Sequence, residues 1–496
     1  MKARLGICTN TMQTWDFNKV TTPHIVISGK TGCGKTHILR RLLNDMVNTA
    51  QSPVRVHIFD VHDDLVMPNE SDIMFSQSSN YGMNVLDIDP NPHSGGPRRA
   101  ISELIAMMGK TTTFRLGARQ EPVFRNILLQ LYEKNGFYPD TPSSWPVDDG
   151  KTRRYPKKIP TLTDAFNFSN YQLNLIETGC GGGALKSLKD LKAAQLKRVK
   201  LIRSTPKDEL VDIEGDIEAL KTKSIAAYTD FIMQSSDGKE QEMLKLYDEP
   251  SVLKAVIDRI SNLHNMRVFS GESPPFDMHA NFWRYRLKHL TVDQSKMFVL
   301  AALKRIFMRA VRRGEQDHIT DIVVVDEFKR YADDEHGNIF EMISLEARKF
   351  GLMLIASSQS HRHFPADMLK SAGLSMVLQQ DPLDYIYLKN NCLLEKDQLE
   401  NIKPRYSALY RMSLTGDSSS NYKNITVSDD FIGQFLRSEP VQKAQNNTPT
   451  SHTSNPAPVK KTVPTKITAK NMEVDGEGDE DHLFGGKSVS EILDEL

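Results

Sequence analysis

The chain has 496 residues, 39% hydrophobic and 25% charged, the make-up of a globular protein rather than of a fibre or a disordered chain. Lys+Arg and Asp+Glu stand at 63 each, so net charge excludes no partner and any cationic surface must be local. Four scattered cysteines (Cys8, Cys33, Cys180, Cys392) with no CxxC pair argue against a zinc site or a disulfide framework, and no signal peptide or apolar run of the ~18–20 residues that cross a bilayer is present, so a cytoplasmic protein with only indirect membrane association is expected.

The first element is "HIVIS" (24–28), short, β-branched and apolar, which predicts a buried strand. Gly29–Thr36 follows, and "HILRRLLNDMV" after it is apolar at helical spacing. "VRVHIFD" (54–60) reads as a second strand, so the chain opens strand–loop–helix–strand, the start of a parallel α/β sheet. From about 100 to 275 the pattern turns helical and charged. It holds a Pro- and Trp-containing loop near 138–160, a glycine break at 179–183, and two long polar helical segments separated by Thr205–Pro206. Ile213, Ile217 and Leu220 recur at helical spacing in the second, which predicts a helical hairpin.

Sheet signals return at "ANFWRYRL" (280–287), then a helix over roughly 292–312, the strand "DIVVVDE" (321–327), a helix "NIFEMISLEARKF", and the strand "LMLIASSQS" (352–360). "SMVLQQ" (375–380) and "YSALYRMSL" (406–414) are further strand candidates. After about 436 the composition turns to Pro, Thr, Ser, Asn and Lys and cannot bury enough apolar surface to fold, which predicts a disordered tail. The tail closes on an acidic stretch whose end reads as a short amphipathic helix with Leu483, Phe484, Val489, Ile492, Leu493 and Leu496 as its apolar residues. The expected organisation is a discontinuous α/β domain over 1–100 and 275–436, an all-α inserted subdomain over 101–274, and a tail over 437–496.

Gly29-Lys30-Thr31-Gly32-Cys33-Gly34-Lys35-Thr36 fits G-x-x-x-x-G-K-[ST] at every fixed position, with a strand before it and a helix after it. Glycines let the backbone curl so that its N–H groups face phosphate oxygens, and the following helix adds the positive end of its dipole. Lys35 is expected to reach the β- and γ-phosphates of ATP, and Thr36 to offer its hydroxyl to Mg²⁺. Cys33 is expected to contribute backbone alone. "DIVVVDEF" ends a buried strand in Asp326-Glu327. Beside a P-loop this reads as the hydrolysis pair, Asp326 in the Mg²⁺ shell and Glu327 orienting the attacking water; alone it would be a buried strand ending in acids. About 290 residues separate Lys35 from Asp326, so a large insertion lies between them. Gln359, closing the next strand, reads either as a sensor of the γ-phosphate or as a loop glutamine. Arg348 reads either as an arginine finger for a neighbouring subunit's nucleotide or as a solvated helix arginine, with Lys349 a rival for the first role.

The segments "TPHIVISGKTGCGKT", "HIFDVHDDL", "VVVDEFKRYAD", "EARKFGLMLIASSQS" and the "MVLQQ" strand together resemble the HerA/FtsK superfamily of P-loop motor ATPases. Within it they are most similar to the HerA-like and type IV secretion coupling-protein branch, over roughly residues 20–95 and 275–415. The resemblance implies a RecA-like sheet and a homohexameric ring that hydrolyses ATP at subunit interfaces and moves DNA, or sometimes protein, through its pore. It places Lys35 and Thr36 on the Walker A pair, Asp326 and Glu327 on the Walker B pair, Gln359 on the strand-end glutamine, Arg348 on the trans-acting finger and Asp60 on an acidic position at the end of strand two. Coupling proteins of that branch work at membrane complexes, which would recruit this chain through partners.

Two further partner readings stay open. The helix "LKSLKDLKAAQLKRVKLIRS" (185–204) carries seven basic residues against Asp190, and could track a phosphate backbone without base readout. Its rival is a solvated face answered by the acids of "DELVDIEGDIEALK". The acidic terminal peptide reads as a hook for a protein partner or as a solubilising tail. The expected function is a DNA-translocating motor of conjugative or mobile-element transfer. Its rivals are a secretion or pilus-assembly ATPase, a HerA-like repair or defence ATPase working with a nuclease, and a non-motor ATP switch.

Overall fold

The computed structural model describes residues 1–147, 157–178, 182–201, 208–234, 246–247, 249–332, 338–417 and 421–438. Two compact units divide the chain, Met1–Ser428 and Asp429–Leu496. The glycine break's Gly179–Gly181, the Thr205–Pro206 junction and the tail expected to be disordered lie outside the described residues.

The first unit is built on one eleven-stranded sheet. Its strands are β1 (Lys2–Cys8), β2 (Thr11–Asp16), β3 (Ile25–Ser28), β4 (Arg55–Asp60), β5 (Glu70–Met74), β6 (Phe282–Arg286), β7 (Asp321–Val325), β8 (Leu352–Ser358), β9 (Leu374–Val377), β10 (Ser407–Met412) and β11 (Lys423–Thr426). They lie in the order β2-β1-β11-β10-β9-β3-β8-β7-β4-β6-β5. From β5 through β9 in that order neighbours run parallel. From β9 through β10, β11 and β1 to β2 they run antiparallel. This is a RecA-like P-loop NTPase sheet, with one strand, β8, between the P-loop strand β3 and the carboxylate strand β7.

The parallel strands are buried on both faces and therefore read as unbroken apolar runs. Alternation sorts them into two faces. Ile25, Ile27, Val56, Ile58, Ile322, Val324, Met353, Ile355, Leu374 and Met376 form one core with Ile38, Leu39, Leu42, Leu43 and Met46. The latter five are the apolar stripe of α1 (Lys35–Thr49). Each such side chain contributes roughly 1.5–3 kcal/mol through burial. The other face carries an aromatic cluster in which Phe59 stacks on Tyr285 at 4.8 Å and Phe75 lies 4.4 Å from Phe298.

Between β5 and β6 every described α-helical or strand element is a helix: α2 (Pro97–Gly109), α3 (Gln120–Lys134), α4 (Leu162–Thr178), α5 (Gly182–Leu201), α6 (Asp208–Gln234) and α7 (Pro250–Asn265). α5 and α6 form the expected antiparallel hairpin, with Arg198 near the end of one paired at 2.7 Å to Glu214 near the start of the other. Ile213 and Ile217 are buried, as their spacing predicts. α8 (Val292–Arg313), which carries Phe298, starts at a Thr291–Gln294 capping box that satisfies two of its orphan donors and stops at Gly314. The remaining helices of this unit are α9 (Ile339–Glu346), α10 (Ala366–Ser371), α11 (Tyr385–Cys392) and α12 (Lys396–Glu400). The helix expected to run on through Phe350 tightens into a 3-10 turn over Ala347–Phe350. The described part of the second unit is one helix, α13 (Asp429–Ser438).

Four strands escape the sequence reading. β2 and β5 are the two edges of the sheet and are polar, as edges that must not recruit further strands are. β1 alternates, but a register shift between Arg4 and Gly6 breaks its pattern. β11 is four residues long and buries only Ile425.

Candidate active site

The parallel strands end together, and their carboxyl ends carry the predicted residues. Gly29 leaves β3 where a Cβ would lie 2.6 Å from Cys33 Sγ and 2.7 Å from Leu378 Cβ, so only glycine lets the chain turn there. The loop is pinned from both neighbouring strands: Gly29 N–H donates to the Ser358 carbonyl at 3.1 Å and Lys30 N–H to the Gln379 carbonyl at 2.8 Å. Gly34 caps α1 at φ 106, a left-handed conformation that a side chain would oppose. Lys30 and Thr31 are exposed, while Cys33 is buried in the core beneath the loop. Burial pushes the Cys33 thiol up and keeps it protonated, so it packs rather than reacts.

Lys35 Nζ donates to the Gly29 carbonyl at 2.7 Å, spanning the mouth of the loop. Thr36 Oγ1 donates to Asp64 Oδ2 at 3.2 Å. Asp326, one residue beyond β7, accepts a hydrogen bond from Ser357 Oγ on β8. It points to the α1 face, the parity of Val324 and Ile355. Burial pushes the Asp326 carboxyl up, and the nearby charges of Glu327 and Asp64 push the same way, against the Ser357 bond. A buried carboxylate facing two more acids is a fit for a divalent cation, which would reverse that shift. Among the described residues no group of three or more His, Cys, Asp or Glu side chains closes round a metal ion. Thr36 and Asp326 would hold Mg²⁺, which takes one or two protein ligands and completes its shell with phosphate and water.

Glu327 sits at φ 52, ψ 52, a left-handed turn that costs a non-glycine residue roughly 1–2 kcal/mol. The turn brings its carboxylate to Gln359, whose Nε2 donates to Glu327 Oε1 at 3.2 Å. His62 Nε2 stands 4.0 Å from the same oxygen. Gln359 and Glu327 thus touch across two neighbouring strand ends. The structure brings together Lys35 and Thr36 on one side and Asp326, Glu327 and Gln359 on the other, joined through Asp64.

Arg348 lies elsewhere. It precedes β8, whose seven residues span about 20 Å, so it stands at the opposite end of that strand from Gln359. Its guanidinium donates to the Thr21 carbonyl and borders a cavity of about 590 Å³ shared with Phe17, Asn18, Gln316, Leu345 and Lys349. It therefore does not share a site with Lys35 in its own protomer.

Asp60 has a structural role. Its carboxylate accepts from the N–H groups of His62 (3.0 Å), Asp63 (2.9 Å) and Leu65 (3.1 Å), and Arg284 Nη1 stands 3.4 Å away. It folds the turn that presents Asp64 to Thr36. Asp64 was not singled out in the sequence. The signal available was its place in "HDDL", four residues past the strand end on the P-loop side.

Beneath the loop, Ser28 Oγ meets His361 Nδ1 at 3.1 Å and Gln380 Nε2 at 3.2 Å. Burial, with Arg411 second, lowers the His361 pKa to about 4; burial, with Arg348 second, does the same for His24. A histidine whose folded pKa lies below its unfolded value of ~6.5 binds its proton first in the unfolded chain. Stability is therefore full above pH ~6.5 and falls as pH drops towards 4, by about 1.4 kcal/mol per pH unit per histidine. Urea unfolding at pH 7 and pH 5 is expected to show this loss, and His361→Gln to flatten the slope. An unchanged slope in that variant would remove His361 from the account.

A P-loop leading from a central strand, a carboxylate pair one strand away and a glutamine on the strand between them define the site of a RecA-type P-loop ATPase. Residues 9–138 match the family model described as helicase HerA, central domain, which bears out the motif resemblance to the HerA/FtsK superfamily. The fold is similar to VirB4 of Thermoanaerobacter pseudethanolicus at a TM-score of 0.55, with 15% identity over 87% of this chain and 97% of that chain. A looser likeness, TM-score 0.46 and 11% identity over 82% of this chain and 85% of that one, is to the bacterial conjugative coupling protein TrwBΔN70. No curated protein matches the sequence. No described helix is long and apolar enough to cross a membrane.

Proposed function

We propose that the chain is an ATP-driven motor that works as a ring, a hexamer by the HerA/FtsK resemblance, and moves DNA. The observation that carries the reading is the Glu327–Gln359 contact at the ends of β7 and β8, to one side of the P-loop strand. In this reading Gly29–Thr36 cradles the phosphates of ATP, with the Lys35 ammonium on the β- and γ-phosphates. Mg²⁺, held by Thr36 and Asp326, would neutralise charge on the phosphates. Glu327 takes the proton of the attacking water. Gln359, bonded to Glu327 until the γ-phosphate draws it away, relays occupancy to the strands behind it. Arg348, at the other end of the strands from the P-loop, would serve a neighbouring protomer's nucleotide. Residues 1–100 and 275–436 would be the motor, 101–274 an accessory helical part, and 437–496 a tail for a protein partner at a membrane complex.

DNA as the cargo is supported by the HerA match and by the exposed Lys189, Lys192 and Lys197 on α5; Arg198 is answered by Glu214. ATP turnover measured with and without DNA tests it. Stimulation by DNA of any sequence, lost as salt rises, is expected. DNA-independent turnover would favour the secretion ATPase, and nuclease activity that needs a co-purifying protein would favour repair or defence. Mixing Arg348→Ala with Lys35→Ala subunits is expected to restore part of the lost activity. No recovery would end the role of Arg348 in trans.

A further inference from the structure

The turn from Lys403 to Ser407 enters β10 and is tightly tied. Lys403 N–H donates to Ser407 Oγ at 2.9 Å, and the N–H groups of Tyr406 and Ser407 donate to the Lys403 carbonyl at 3.1 and 3.0 Å. At its apex Arg405 is exposed yet left-handed, at φ 60. Such strain in a residue with a Cβ persists where surroundings impose it, and is most frequent at functional sites. Here the surroundings are the P-loop. Arg405 N–H donates to the Cys33 carbonyl at 3.0 Å, and its Cα and Cγ lie 3.4 Å from where a Cβ on Gly34 would be. The guanidinium Nε reaches the Gly32 carbonyl at 3.4 Å, a long bond and hence easily exchanged.

Sheet order says which part of a nucleotide lies there. The carboxylates and Gln359 belong to β7 and β8, on one side of β3, and mark the γ-phosphate end. Arg405 precedes β10, beyond β9 on the other side of β3. A nucleotide laid in the loop with its γ-phosphate at Glu327 turns its α-phosphate and nucleoside towards Arg405. We infer that Arg405 is a nucleotide-contacting residue that exchanges the Gly32 carbonyl for the α-phosphate of the nucleotide bound at 29–36. The inference rests on the proposed reading of the P-loop.

The guanidinium acts at the end of the nucleotide remote from the bond that breaks, so it contributes to binding and not to the chemical step. Arg405→Ala is expected to raise the Kd for ADP and the KM for ATP about tenfold, the size of one charge-assisted hydrogen bond, with kcat kept. Arg405→Lys keeps charge without the fork and should lose less. Arg405→Gly removes the side chain, keeps the N–H bond to Cys33 and relieves the left-handed strain. It should lose affinity as Arg405→Ala does while unfolding at no lower a temperature, which separates nucleotide contact from bracing of the loop. Wild-type ADP affinity in both Arg405→Ala and Arg405→Gly, or a fall in kcat at unchanged KM, overturns the inference. Lys35→Ala is titrated beside them: if it binds ADP as the unaltered protein does, the P-loop reading itself has failed, whatever Arg405 does.

Discussion

Replacing Lys35 with alanine raises the dissociation constant for ATP by about 10²–10³-fold, the loss of about 3–4 kcal/mol that follows removal of one desolvated charged partner. The side chain is half-buried and its ammonium spans the loop mouth to the Gly29 carbonyl. Without it the β- and γ-phosphates lose their ammonium partner from the loop and fall back on backbone N–H groups and the helix dipole. Alanine is the best helix former and Lys35 is the first residue of α1, so the helix itself is undisturbed. Calorimetric titration with ATP, read beside a thermal unfolding curve, checks both halves. A folded Lys35→Ala protein with unaltered affinity would remove the P-loop from the function.

Glu327→Gln separates binding from chemistry. Turnover falls by about 10²–10⁴-fold, the range that a positioned general base supplies, while ATP affinity changes by less than about twofold. Glutamine is isosteric, can hold the same left-handed turn, and can still accept from Gln359 through its amide oxygen. What it lacks is the charge that takes a proton. Phosphate release under single-turnover conditions reads the loss directly. Normal turnover in this variant would put water activation on another group, with His62, 4.0 Å from Glu327, the next to test.

Much of the parallel half of the sheet was legible because strands buried on both faces must be apolar throughout. "IVIS", "DIVVV" and "LMLIASS" carry that mark, and they are β3, β7 and β8. The strands that were missed lie at or next to an edge or in the antiparallel end, where one face or one side meets solvent and the apolar signal thins. Within the site, the residues of fixed spacing could be read because phosphate geometry dictates that spacing. Asp64 and Arg405 could not. Each reaches the P-loop from a turn, Asp64 folded in by the Asp60 carboxylate and Arg405 by the Lys403 and Ser407 bonds, and neither turn has a periodicity to read. Asp60 shows the converse: an acid at a strand end that the resemblance singled out, and that holds three backbone N–H groups.

The position of β3 bears on how the molecule is made. Both its partners, β8 and β9, begin beyond residue 350, far later in the chain than β3 itself. Some 320 residues separate β3 from the nearer of them and must be made after it before that strand finds a neighbour on either side, and until then its backbone donors and acceptors face water or a chaperone. A severed N-terminal portion ending near residue 138 would keep the whole loop from Gly29 to Thr36 and have no central sheet to mount it on. Two pieces divided within the helical stretch, by contrast, would each retain a share of the same ladder and could be brought together to rebuild it.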